Sequence, residues 1–286
     1  MRIVKSVTAM QAIARRWRRE GARVGFVPTM GWLHAGHLSL ARRARKLAGP
    51  RGKVVVSIYV NPTQFGPRED FSRYPRDLAR DARLCRGQGV DVIFAPGEGE
   101  MYPATETGGY STFVAEEKLS QRMEGASRPT HFRGVTTVVA KLFNIVQPDV
   151  AVFGAKDYQQ AAVIQRMVRD LNFPLRIVVA PTHREPDGLA MSSRNQYLTG
   201  DERGRAPAIY RELRRAAERI TAGEGDLSCV EQAATAALTN SGMRVDYFVV
   251  RTRELTAPAA QDRELVILAA ARLGRARLID NLQLTR

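Results

Sequence analysis

The chain has 286 residues, 44% hydrophobic and 26% charged, with 44 Lys and Arg against 29 Asp and Glu for a formal net charge of +15. That length suits two domains, or one α/β domain with an appendage, around a sizeable core. No apolar run approaches the roughly 20 residues of a membrane span, and Met1 to Gln11 lacks a secretory pattern, so a membrane protein is excluded and a cytoplasmic one expected.

Two cysteines, Cys85 and Cys229, stand far apart outside any C-x-x-C pattern, which argues against a disulfide framework or a thiol zinc site. The positive charge is spread along helical stretches (Arg15, Arg16, Arg18, Arg19; Arg42, Arg43, Arg45; Arg214, Arg215) without interleaved aromatics, so no nucleic-acid partner is expected. Such a field still draws anionic substrates.

In chain order, short β-rich runs alternate with helical patterns, the form of a parallel sheet with crossover helices. The patterning predicts strands over 24–27, 54–60, 91–95, 150–153 and 175–180, with helices over 8–20, 38–47, 76–88, 134–146 and 158–171. The stretch 98–133, with glycines and few long apolar runs, reads as an insertion near the site. Beyond a polar loop at 181–198, Thr199-Gly200-Asp201-Glu202 starts a capping box for one helix over 201–222. A helix over 227–240 and strands over 245–250, 264–271 and 276–281 follow. The expected fold class is therefore α/β, a doubly wound parallel sheet with a smaller C-terminal α+β domain.

Where the strand over 24–27 hands over to a helix stands Pro28-Thr29-Met30-Gly31-Trp32-Leu33-His34-Ala35-Gly36-His37. Two imidazoles three residues apart, expected on one helical face beside free backbone N–H groups and the positive end of the macrodipole, suit nucleotide phosphates. The same pair also fits two surface histidines at a helix start. Val60-Asn61-Pro62-Thr63-Gln64-Phe65 follows the next strand, where Asn61 and Gln64 either orient hydroxyl and carboxylate groups without adding charge or stabilise the loop. Phe153-Gly154-Ala155-Lys156-Asp157-Tyr158-Gln159-Gln160 is another strand-to-helix junction, bringing one of few lysines to a phosphate, with Gln160 a turn onward. Asp157 there reads as the N-cap of the following helix. Met191-Ser192-Ser193-Arg194-Asn195 is either a polar linker or a set of phosphate-binding hydroxyls and a guanidinium.

With Glu124-Gly125-Ala126-Ser127-Arg128-Pro129-Thr130-His131-Phe132-Arg133-Gly134 and Ala276-Arg277-Leu278-Ile279-Asp280-Asn281, the ordered set resembles the pantoate–β-alanine ligases, across nearly the whole chain. The family belongs to the cytidylyltransferase-like (HIGH) nucleotide-binding superfamily. The resemblance implies a Rossmann-like ATP- and pantoate-binding domain over 1–182 and an α+β lid domain over 183–286. It implies condensation of (R)-pantoate with β-alanine, through a pantoyl adenylate, to pantothenate, AMP and pyrophosphate. His34, His37, Lys156, Ser192, Ser193 and Arg194 would stabilise the phosphate charge, with any proton donation by His37 secondary. ATP would lie against Met30, Gly31, Trp32, Leu33, His34, Ala35, Gly36 and His37, against Gly154, Ala155, Lys156 and Asp157, and against Met191 to Arg194. Adenine would meet the backbone at His183, where the family usually carries an aliphatic residue. Gln64 and Gln160 would bind pantoate, and Gln64 also β-alanine. His131 would support the wall of the site. Mg²⁺ would ride on the ATP phosphates with no dedicated protein cage, and a homodimer is implied.

Three rivals share parts of this pattern: an adenylyltransferase using the same histidine pair, an aminoacyl-tRNA synthetase fragment, and a nucleic-acid binder resting on charge. The neutral glutamines, the lack of an anticodon-binding region and the motifs themselves argue against each in turn.

Overall fold

The computed structural model describes residues 1–67, 69–104 and 108–286. The chain divides into two compact units, Met1–Gly154 with Gln160–Ala180, and Ala155–Gln159 with Pro181–Arg286. The turn that carries Lys156 thus belongs with the C-terminal residues.

In the first unit six strands, β1 (Arg2–Val4), β2 (Val24–Thr29), β3 (Lys53–Ile58), β4 (Val92–Phe94), β5 (Val150–Gly154) and β6 (Arg176–Ala180), form one sheet in the order β1-β4-β3-β2-β5-β6. Every pairing is parallel. From β2 the chain steps outward through β3 and β4 and then returns to the other side of β2 with β5. The order therefore reverses between β2 and β5, and open α/β sheets bind ligands outside the carboxyl ends of the strands at such a point.

Helices α1 (Val7–Arg19), α2 (Ala35–Ala48), α3 (Leu78–Arg86), the short α4 (Glu98–Met101) and α5 (Glu124–Ser127), α6 (His131–Val146) and α7 (Tyr158–Asp170) accompany these strands. The alternation of strand side chains sorts them into two layers. Phe26, Val55 and Phe94 pack with Met10, Ile13 and Trp17 of α1, Phe143 of α6 and Ile164 of α7. Val27, Val54, Val56 and Ile93 pack on the opposite face with Ala41 and Ala44 of α2 and Ala82 and Cys85 of α3. Burying such side chains is worth about 1.5–3 kcal/mol each for the larger ones, and both faces are occupied, so the strands read as near-continuous apolar runs. α1 shows the local logic: Ser6 caps it by accepting from the Ala9 N–H, and Met10, Ile13, Ala14 and Trp17 form its buried stripe.

The expected strands and helices of this unit all occur, with ends moved by a few residues. β1 was not expected. Three residues carry no measurable period, and the strand exists because Arg2, Ile3 and Val4 pair with Val92, Ile93 and Phe94.

The second unit holds α8 (Gly200–Arg205), α9 (Ala208–Thr221), α10 (Leu227–Asn240) and an antiparallel sheet of β7 (Arg244–Thr252), β8 (Glu264–Leu273) and β9 (Ala276–Thr285) in that order. Its core joins Ile209, Leu213 and Ile220 of α9 and Leu238 of α10 to Phe248, Leu265 and Ile267 of the sheet. The Thr199 hydroxyl accepts from the Glu202 N–H at 3.3 Å, and the Glu202 carboxylate accepts from the Thr199 N–H at 2.9 Å, closing the expected capping box. The single helix expected over 201–222 is corrected to two. Pro207 has no N–H to donate and its ring clashes with the preceding turn, so α8 stops at Arg205 and α9 starts at Ala208.

Candidate active site

At the carboxyl end of β2 the backbone turns through Gly31 at φ +83° and Trp32 at φ +49°, the left-handed region. A Cβ at Gly31 would lie 2.9 Å from the Ile58 side chain, so glycine is required there for space as well as for φ. Thr29 Oγ1 donates to the Ser57 carbonyl at 2.7 Å and accepts from the Gly31 N–H at 3.1 Å. The Asp81 carboxylate of α3, 1% exposed, accepts from the Trp32 N–H at 2.7 Å and the Leu33 N–H at 2.8 Å. Arg80 pairs with Asp81 at 3.1 Å and lies over the Trp32 ring at 4.6 Å. Burial pushes the Asp81 carboxyl upward, against the pull of the two amides and Arg80.

The loop delivers His34 to the N-cap of α2, in extended conformation at φ −132° and ψ 177°, rather than onto the helical face. The expected placement of both imidazoles on one face is corrected accordingly. His34 Nδ1 accepts from the Gly36 N–H at 3.2 Å, and His37 Nδ1 accepts from the His34 N–H at 3.3 Å. The two rings form a capping box, with centroids 4.0 Å apart. The Gly36 amide, expected to be free, is therefore taken by the His34 ring. Because both Nδ1 atoms accept, each neutral ring carries its proton on Nε2. The histidines thus hold the helix start through Nδ1.

Next to this strand, β3 runs into a 3-10 turn, Pro62–Gln64, capped by Asn61. Asn61 is 1% exposed and fully engaged: its amide donates to Gln64 Oε1 and to the Gly134 carbonyl at 3.1 Å each, and its oxygen accepts from Tyr102 at 2.8 Å and Thr63 at 3.0 Å. Asn61 therefore shapes the loop instead of meeting a ligand, the alternative reading of this residue. A Cβ at Gly134 would lie 2.3 Å from the Thr63 carbonyl, so α6 reaches this turn only because glycine stands there. Gln64 Nε2 donates to Met30 Sδ at 3.0 Å, tying the amide to the histidine-bearing loop. Its backbone carbonyl accepts from His131 Nδ1 at 3.0 Å and Arg128 at 3.2 Å, and Arg128 in turn pairs with Glu69 at 2.5 Å. Desolvation, and then the Arg128 charge, push the His131 imidazole down to about 4. His131 is neutral, with Nδ1 donating, and supports the wall as expected. Gln160 lies in the first turn of α7, after β5, so the two glutamines follow the strands on either side of β2.

In the second unit Ala155–Asp157 forms a 3-10 turn. The Asn281 side-chain amide on β9 donates to the carbonyls of Ala155 and Lys156, both at 2.8 Å. Lys156 Nζ lies 3.4 Å from the Asp157 carboxylate, so Asp157 faces a cation. Asp280 accepts a bidentate pair from Arg184 at 2.6 and 2.9 Å, and Arg184 also donates to the Gly188 carbonyl at 3.0 Å. Burial pushes Asp280 up, with Arg184 pulling the other way. A bridge between Arg184 and Ala190 and a bond from the Met191 N–H to the His183 carbonyl at 3.0 Å order the segment. Ser192 then caps a 3-10 turn, Ser193–Tyr197, accepting from the Arg194 N–H at 3.2 Å, while the Asn195 amide donates to the Ala190 carbonyl at 3.1 Å. This stretch is folded, not a loose linker. Ser192, Ser193 and Arg194 are half-buried, and His183 is exposed.

Asp81, Arg128 and a role for Asn281 were missed by sequence reasoning. Asp81 carried a usable signal, a carboxylate placed on the same helical face as Leu78, Ala82 and Cys85. The others act through backbone carbonyls, which leave no pattern in the sequence.

A doubly wound parallel sheet whose reversal-point strand runs into a histidine-capped helix defines an α/β enzyme handling phosphate-bearing ligands. The model of the Pantoate-beta-alanine ligase family matches residues 2–283. The pantothenate synthetase of Moorella thermoacetica is 51% identical over 286 residues, covering 99% of each chain. That of Heliobacterium modesticaldum is 53% identical over 284 residues, again covering 99% of each. The crystal structure of pantothenate synthetase from Thermus thermophilus, 48% identical, superposes with a TM-score of 0.90 over 99% of both chains. The pantoate-beta-alanine ligase from Francisella tularensis, solved in complex with beta-gamma ATP and beta-alanine, is 34% identical with a TM-score of 0.82, covering 99% of this chain and 97% of that one. The chain belongs to the pantoate–β-alanine ligase family.

Proposed function

We propose that the protein joins (R)-pantoate to β-alanine with ATP. A pantoate carboxylate oxygen attacks the α-phosphorus, pyrophosphate leaves, and pantoyl adenylate forms. The β-alanine amine then attacks the acyl carbon, loses a proton, and expels AMP to give pantothenate.

The observation that carries this is the arrangement along the sheet: a histidine-capped helix follows β2, with Gln64 and Gln160 after the strands flanking it. His34 and His37 direct their Nε2 protons at phosphate oxygens. Negative charge grows on those oxygens during in-line displacement, so preorganised donors act where they lower the barrier. Lys156, Ser192, Ser193 and Arg194 serve the same phosphates. The nucleotide lies along Met30 to His37, Gly154 to Asp157 and Met191 to Arg194, with a backbone contact at His183. Gln64 and Gln160 hold pantoate through neutral hydrogen bonds, and Gln64 also meets β-alanine.

Among the described residues no three His, Cys, Asp or Glu side chains converge as a metal-ligand group. Mg²⁺ would ride on the ATP phosphates and offset their charge. The unit of Met1–Gly154 and Gln160–Ala180 is the Rossmann-like ATP and pantoate domain of the cytidylyltransferase superfamily, and that of Ala155–Gln159 and Pro181–Arg286 the smaller α+β domain, in place of the expected boundary at 182. The working form is a cytoplasmic homodimer. No helix among the described residues is long and apolar enough to cross a membrane.

The test is a product balance with purified protein, ATP, Mg²⁺, pantoate and β-alanine. AMP, pyrophosphate and pantothenate should form in equal amounts, only with both organic substrates present. ADP as product, or AMP formed without pantoate, would contradict the function.

A further inference from the structure

The closing motif of the chain is assigned no part in the chemistry above, yet one of its side chains touches the backbone that carries Lys156. Asn281 is 5% exposed on β9, and its register places it opposite Leu268 of β8. One amide nitrogen donates to two successive carbonyls, those of Ala155 and Lys156, at 2.8 Å each. Both protons of that nitrogen are thereby used, and the 3-10 turn is held at two points by a group that itself sits in a sheet. The neighbouring Asp280 carboxylate accepts from the Asn281 N–H at 2.8 Å and from Arg184 through both guanidinium nitrogens. The anchor is thus braced on its own backbone.

A lysine delivers its charge to a defined point only from a fixed backbone, because its flexible four-carbon stem does not by itself hold the ammonium in place. With the two carbonyls held by Asn281 the turn is fixed, and the Lys156 side chain it carries is 18% exposed and beside Asp157. A turn carrying a catalytic cation has no such requirement for a bifurcated side-chain donor unless its position matters.

We propose that Asn281 is a positioning residue for adenylate formation, fixing the turn so that Lys156 meets the phosphates; this rests on the role given to Lys156 above. Its effect runs through Lys156, which separates it from a merely structural role. Displacements of about 1 Å cost up to about 100-fold in rate.

A double-mutant cycle on the full-length protein tests this. Single-turnover rates of pyrophosphate release with ATP, Mg²⁺ and pantoate are measured for wild type, Asn281→Leu, Lys156→Met and the double variant. Burst amplitudes give the active-site concentration. Asn281→Leu should slow the step about 10- to 100-fold per active site, and the double variant should be no slower than Lys156→Met alone. Asn281→Ser, whose single hydroxyl proton cannot bridge two carbonyls, gives the same cycle should the leucine variant not fold. Losses that multiply in the double variant, or an unchanged rate per site in the Asn281 variants beside an impaired Lys156→Met, would overturn the positioning role alone. An unimpaired Lys156→Met would overturn both that role and the one assigned to Lys156.

Discussion

The two imidazoles at the start of α2 each accept a backbone N–H through Nδ1, and that use of one nitrogen sets what a substitution removes. His37 Nδ1 accepts from the His34 N–H, which leaves the proton of the neutral ring on Nε2, the donor proposed for the phosphates. In His37→Asn the amide oxygen sits where Nδ1 was, so the capping acceptor survives and the distal donor is lost. We expect adenylate formation to fall by about 10²- to 10³-fold, the cost of removing one preorganised donor, while the melting temperature stays within about 2 °C. Single-turnover kinetics beside a thermal melt checks both halves, and an unchanged rate would remove His37 from the chemistry. His131 gives a pH dependence of known sign. Its folded value of about 4 lies below the ordinary 6.5, so the unfolded chain binds the extra proton between the two. Its contribution to stability is complete above about pH 6.5 and is lost as pH falls towards 4, on the order of 3 kcal/mol. Urea midpoints across that window should show the loss in wild type and a flatter profile in His131→Asn, whose amide can still donate to the Gln64 carbonyl; parallel profiles would contradict it.

At the scale of elements, the loop between β2 and α2 is held less by its own residues than by α3. Asp81 satisfies two consecutive amides beside a tryptophan in the left-handed region. Removing it in Asp81→Ala leaves both donors without their acceptor, at about 1–3 kcal/mol each. A drop of about 2–5 kcal/mol in unfolding free energy is expected, with Asp81→Asn losing about half because its amide can accept from only one of the pair. Denaturant titration of the three proteins measures this, and equal losses in both variants would show that the amides are not the cause. Such ties explain what could be read from the chain and what could not. The strand-to-helix junctions were legible because they combine apolar runs with turn residues, which is local chemistry. That His34 caps α2 instead of lying on its face was not, since one residue of helix phasing depends on where Asp81 pins the loop. Likewise the break at Pro207 was hidden inside a run whose apolar spacing, at Ile209, Leu213 and Ile220, remains helical.

For the molecule as a whole, the fold class follows from alternating patterns, while the strand order, the edge strand β1 and the reach of β9 to Thr285 follow from pairing partners far along the chain. Of the proposed site residues, His34, His37, Gln64, Lys156 and Gln160 stand just past the carboxyl ends of strands, at junctions that the sequence marks with turn residues. Of the residues that hold them, Arg128 and Asn281 were not legible, since each grips backbone carbonyls, while Asp81 showed only as a carboxylate on the apolar face of α3. All these parts converge on one chemical claim, that a pantoate carboxylate oxygen attacks the α-phosphorus of ATP. Pantoate labelled with ¹⁸O in its carboxylate tests it most directly, by mass analysis of the AMP formed during pantothenate synthesis. One ¹⁸O atom should appear in each AMP phosphate, carried across when the amine displaces the adenylate. Unlabelled AMP, with one label atom kept in the pantothenate amide and the other found in pyrophosphate, inorganic phosphate or water, would contradict the acyl adenylate.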